Sequence, residues 1–199
     1  MEDRTLLATM LWAIPVSGDW DVASNWINSA SSDHHVPTSA DDAEIIFPGI
    51  TVTHASSVSD TAHSLTSHST VKISGGSLTL GANSTITDLS VSSGATLILN
   101  SLTLSGTGTL TNAGTLDLTS DTINAPLVNQ GTILVQASST IAGSFSNAGR
   151  ATLQLHGNGL GDAALYVTSG LSNAGTIDLT TVYGGYGEEL TVSGGALVN

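Results

Sequence analysis

Glycoside hydrolysis needs two carboxylates roughly 5–10 Å apart across a substrate, and this chain has sixteen acidic residues from which to draw them. Asp117 and Asp178 fall at equivalent outward positions of a repeat described below, but three repeats apart, about 14 Å at the spacing of neighbouring strands. Asp41, Asp42 and Glu44 are close in sequence, yet adjacent strand residues point to opposite faces. A polysaccharide lyase needs a base, and the isolated Lys72 and Arg150 do not supply one. Of the histidines, His34, His35, His54, His63 and His68 crowd one stretch and His156 stands apart. Their density suits Zn2+, but none has the tight spacing of H-E-x-x-H, and they read as solvated loop residues. No catalytic residue or enzymatic activity is expected.

Binding chemistry is better represented. The loop Thr181-Val-Tyr-Gly-Gly-Tyr-Gly-Glu-Glu189 carries Tyr183, Tyr186, Glu188 and Glu189, an aromatic-plus-acid set suited to a sugar; a plain glycine-rich surface loop is the competing reading. Gly157-Asn-Gly-Leu-Gly-Asp162 resembles one copy of a glycine-rich Ca2+ repeat; a single copy does not define a site, and no cofactor is expected. Trp12, Trp20 and Trp26, the only tryptophans, suit either a plug over the first repeat or a platform for sugar rings.

The elements that position these residues come from an internal repeat. Asn112-Ala-Gly-Thr-Leu-Asp-Leu118 recurs as Asn129-Gln-Gly-Thr-Ile-Leu-Val135 and Asn173-Ala-Gly-Thr-Ile-Asp-Leu179, with a looser copy from Asn147. The asparagines step by 17, 18 and 26 residues, and a further 26 reaches Asn199. Apolar pairs such as Leu116/Leu118, Ile133/Val135 and Ile177/Leu179 alternate at period two, the mark of a strand with one buried face. A second column holds Leu110, Leu127, Phe145, Leu171 and Leu197; a third runs near Ile86, Leu104, Ile123, Ile141, Val167 and Val192. One unit cannot bury its own apolar face, whereas stacked units pair each strand in parallel with its equivalent one rung away.

The expectation is an all-β chain: a single-stranded parallel β-helix over residues 45–199, with rungs of 17–20 residues and two enlarged to 26, preceded by a Trp-rich cap over residues 1–44. Asn112, Asn129, Asn147, Asn173 and Asn199 should stack in a hydrogen-bonded ladder. Asn and Gly at this corner should supply left-handed backbone. Thr115, Thr132 and Thr176 should face outward.

Composition narrows the partners. Three basic residues against sixteen acidic ones give a net charge of −13, which excludes the basic footprint that nucleic acid requires and disfavours anionic membranes. No stretch reaches a membrane span, and the acidic leader of Leu6–Val16 argues against a signal peptide. There is no cysteine, so neither a disulfide nor a thiolate metal site. The Thr-rich column is interrupted by Ile98, Asp117, Leu134 and Gln154, which argues against an ice-binding face.

The opening Gly18-Asp-Trp20 … Asn25-Trp26 … Val36-Pro37 … Asp41-Asp42, with the Asn-x-Gly-Thr rungs, resembles the repeat regions of bacterial autotransporter passengers and filamentous-haemagglutinin-like adhesins. That resemblance implies a right-handed β-helix, an extracellular or cell-surface location and a structural or adhesive role. The expected partners are the chain itself, stacked end to end, or further repeats of a longer parent, with surface glycans for a carbohydrate-binding module as the alternative.

Overall fold

The structure is a computed structural model that describes residues 7–159, 161–181 and 184–199. It is all-β, apart from one 3₁₀ turn at Ala23–Asn25. Strands of two to five residues visit three sheets in rotation, so each rung contributes one strand to a ten-stranded, a nine-stranded and a seven-stranded sheet. The result is a parallel β-solenoid of about seven turns.

Register follows the apolar alternation. In the seven-stranded sheet, Leu78, Leu97, Leu116, Ile133, Leu153 and Ile177 form one column. In the nine-stranded sheet, Val71, Leu89, Leu110, Leu127, Phe145, Leu171 and Leu197 form another. A one-residue slip would expose every member of a column, which is why the pairing is unique. Leu116, Leu118, Ile133 and Val135 are fully buried, each worth about 2 kcal/mol of apolar burial. Two expectations need correction at the edge. Ile177 is only partly buried and Leu179 is 46% exposed, because Thr176–Leu179 is the terminal strand of its sheet and has no rung beyond it. In the third column, Ile86 lies opposite Gly106, while Leu104 pairs with Ser84 and continues into Ile123.

From Asn112 onward an asparagine closes each rung at one corner. Asn112 Nδ2 donates to Asn129 Oδ1, Asn129 to Asn147 and Asn147 to Asn173, each at 2.8 Å, and Asn173 donates to Asn199 at 2.6 Å. The glycine two residues on has a different role from the expected one. Neither the Asn nor Gly114, Gly131 or Gly175 has positive φ. Instead, a Cβ on Gly131 would sit 2.2 Å from the Gly114 carbonyl oxygen, and one on Gly175 would sit 2.4 Å from that of Ala151. Close approach of one rung to the next, not left-handed backbone, demands glycine here.

The N-terminal segment begins the stack. Ala8–Trp12 pairs in parallel with Asp41–Ile45 and antiparallel with Trp26–Asn28, which forms the edge of the ten-stranded sheet. The 44/45 division therefore falls inside a strand. Trp12, Trp20 and Trp26 are buried and packed edge to face, with centroids 5.1 and 4.7 Å apart. Burial leaves no ring face for a sugar. The opening motif is structural in detail: Asn25 Nδ2 donates to the Asp19 carbonyl at 2.8 Å, and Asp41 Oδ2 accepts from Thr38 N–H at 2.9 Å.

Candidate functional site

Two places bring polar chemistry together. The first lies at the same corner as the asparagines, near the N-terminal end. Following the register backwards, Asn112 stands opposite Val91, Val91 opposite Ile73 and Ile73 opposite His54. His54 ends the strand Thr51–His54 with its side chain fully buried, so this residue is no solvated loop histidine. Its Nδ1 lies 2.9 Å from the Gly75 carbonyl oxygen, which can only accept, so Nδ1 carries a proton. Its Nε2 lies 2.9 Å from Asp60 Oδ2 and 3.7 Å from Asp21 Oδ1. Asp60 is on the strand Ser59–Ala62; Asp21 follows Trp20 in the turn after Gly18–Asp19.

The two carboxyls crowd the same imidazole nitrogen, with one ligand atom from each residue within 4.8 Å of the others. Burial, the hydrogen bond with Asp21 and that group's charge push the Asp60 carboxyl above the usual range, and His54 only partly offsets them. For Asp21, burial alone would raise the carboxyl, but hydrogen bonds from Asp60 and Ser56 and the attraction of His54 outweigh it and hold it low. Sequence reasoning missed Asp21 and Asp60. The signal was the corner register, which carries no Asn-x-Gly marker before residue 112.

Among the described residues the other histidines do not converge on a further cluster. His35 meets Asp41 at 3.2 Å and His63 meets Asp42 at 2.7 Å, each a separate pair. Asp42 is lowered because hydrogen bonds from Ser64 and His63 outweigh the burial that would raise it.

The second place is a cleft of about 330 Å³ against the ten-stranded sheet, lined by Ser138, Asp162, Tyr166, Glu188 and Glu189 among others. The two enlarged rungs build it. Glu188 Oε1 accepts from Gly157 N–H at 3.2 Å and from the Thr181 hydroxyl at 2.5 Å, and Asp162 Oδ1 accepts from Gly187 N–H at 2.7 Å. Glu188 and Asp162 thus tie one loop to the other, while Glu189 accepts from the Thr191 hydroxyl beside it. Tyr186 is exposed and packs near Gly157, outside the lining of the cleft. Tyr183 lies outside the described residues. Tyr166, 39% exposed and in register between Thr140 and Thr191, adds an aromatic side chain that sequence reasoning passed over. It sits on a strand rather than in the Tyr-rich loop.

No helix among the described residues is long and apolar enough to cross a membrane. Compared with protein-family models, curated proteins and solved structures, the chain matches none.

Proposed function

We propose that the chain is a structural or adhesive segment of a secreted or cell-surface bacterial protein, a stiff rod that spaces or presents other parts of that protein. The observation that carries this reading is the asparagine column from Asn112 to Asn199, in which the buried amide of one rung is committed to holding the next. Seven rungs give a rod about 34 Å long at the spacing of parallel strands. The Trp-rich opening and Asn-x-Gly-Thr rungs support the bacterial surface setting through their resemblance to exoprotein repeats. Antibody raised against the chain should label intact cells of the source organism, and beads coated with the chain should adhere to surfaces that such cells colonise. Labelling only after permeabilisation would overturn the surface reading; inert beads would remove adhesion and leave the spacer role.

The same reading gives the last rung a partner of its own kind, further repeats or a second copy. Leu179, Leu197 and Val198 are exposed there, and such an edge accepts another rung. Light scattering at several concentrations should show association that Val192→Lys weakens; a concentration-independent monomer would count against stacking of copies.

The cleft favours a second reading, a carbohydrate-binding module, because it joins Tyr166 to Glu189 across adjacent strands. A glycan array should then give hits that Tyr166→Ala removes. Hits that survive Tyr166→Ala but vanish with Tyr186→Ala would move the site to the loop, and an array with no hits would exclude the module.

A further inference from the structure

We propose that Asp21, His54 and Asp60 form a binding site for one divalent transition-metal ion, with Zn2+ the best match. One ligand atom from each residue lies within 4.8 Å of the others. Donors around tetrahedral zinc stand about 3.4 Å apart, given bonds of about 2.0–2.2 Å. The 2.9 and 3.7 Å separations from His54 Nε2 to the two carboxylates bracket that value, so small side-chain shifts complete the geometry.

Two observations beyond the clustering point to an ion. The first is the orientation of the imidazole. Nδ1 donates to the Gly75 carbonyl, the outer contact that fixes the tautomer of metal-binding histidines. The fully buried ring is thereby held with Nε2 between the carboxylates. The second is Asp21 Oδ1, which is buried, directed at His54 and receives no hydrogen bond from a donor among the described residues. A buried carboxylate oxygen in that state is costly, and two carboxyls facing one another need either a proton or a cation between them. One nitrogen and two carboxylate oxygens suit Zn2+ better than Ca2+ or Mg2+, which take oxygen alone. The Asp21 and Asp60 side chains are 18% and 22% exposed, so the outer side of the site is open to an incoming ion and to water as a further ligand.

The position gives the ion a purpose. Asp21 directly follows Trp20, whereas His54 and Asp60 belong to strands of the first complete rung. A bound ion would pin the tryptophan cluster to the solenoid.

The chain, dialysed against a chelator and returned to metal-free buffer, is titrated with Zn2+ in a calorimeter, and thermal unfolding is followed by tryptophan fluorescence, which reports on this end alone. The expected results are saturation at one equivalent and a rise in the fluorescence midpoint. Asp60→Asn and Asp21→Asn, with circular dichroism spectra matching the parent, should lose both, while His63→Gln should keep both. No saturable binding by the folded parent, binding of several weak equivalents only, or one-equivalent binding that survives both Asp variants would each overturn the site.

Discussion

Asn129→Ala removes the middle of the asparagine column, and its cost follows from the contacts. Asn129 is fully buried. Its Nδ2 donates to Asn147 Oδ1 at 2.8 Å and to the Thr152 carbonyl at 3.0 Å, and its Oδ1 accepts from Asn112 Nδ2 at 2.8 Å. Losing these three bonds costs about 1 kcal/mol each. Asn147 Oδ1 is left buried without its inter-rung donor, about 1–3 kcal/mol more, and a small polar cavity remains. Asn112 Nδ2 keeps the Thr132 carbonyl at 2.8 Å, which limits the damage on that side. The expected loss is about 4–6 kcal/mol, a large part of the roughly 5–15 kcal/mol typical of a folded domain. Urea unfolding followed by circular dichroism measures it. Tryptophan fluorescence, confined to the N-terminal segment, shows whether the loss stays near the altered rung, as nearest-neighbour stacking requires. A loss below about 1 kcal/mol would show that backbone pairing alone holds the stack and that the ladder is incidental.

Asn112 Oδ1 is buried with no donor among the described residues, and Val91 stands opposite it; Val91→Asn should therefore cost about 1–2 kcal/mol less than Ile73→Asn in the same column, because only the former meets a waiting acceptor. Equal costs in urea melts would refute that. Gly131→Ala brings a Cβ to 2.2 Å from a carbonyl oxygen, whereas Gly94 has positive φ and open space; Gly94→Ala should cost about 1 kcal/mol, with Gly131→Ala well above it, and the reverse order would contradict the close-approach argument. Burial pushes Asp121 from 3.8 to about 6, although the Leu102 and Thr119 amides favour its charged form. The fold therefore prefers the protonated acid. Its stabilising contribution is full below about pH 4 and is lost as pH rises through 6, by at most about 3 kcal/mol and roughly half that after solvent screening. Asp117, also raised by burial, acts with the same sign, while Asp21 and Asp42, held low, lose stabilisation as pH falls below the carboxylate range. Asp121→Asn should flatten the fall in stability between pH 4 and 6; an unchanged slope would refute the assignment.

The fold was legible wherever a side chain repeats for a reason that the rung spacing imposes. Leu116, Ile133 and Leu153 fill one column because a parallel stack brings the same position back to the same interior, and Asn112, Asn129 and Asn147 could be aligned by eye. Before residue 75 the same corner holds His54 and Ile73, with no shared residue type, so nothing in the sequence tied His54 to that column or brought Asp21 and Asp60 beside it. The glycine of the motif was visible, but its cause was not: φ is a property of one residue, whereas the carbonyl that excludes a Cβ at Gly131 belongs to the rung before. Leu179 fits its column by pattern and is exposed only because its strand is the last of its sheet. The cleft was half visible. Glu188 and Glu189 stand out in a Tyr-rich loop, but Asp162 and Tyr166 join them through pairing of Ala163–Val167 with Glu188–Val192, a contact across a 25-residue offset.

The claim on which the rest depends is that equivalent positions stack in parallel, one rung at a time. Because the chain has no cysteine, spin labels can be placed at will. Thr176 lies four rungs from Thr96, five from Ser77 and six from Ser59 along one column. Pulsed electron–electron distance measurements on Thr96→Cys/Thr176→Cys, Ser77→Cys/Thr176→Cys and Ser59→Cys/Thr176→Cys should give narrow distributions that lengthen by about 4.8 Å per pair, near 19, 24 and 29 Å before allowance for the labels. Broad distributions, or distances that fail to grow by one strand spacing from each pair to the next, would contradict the solenoid.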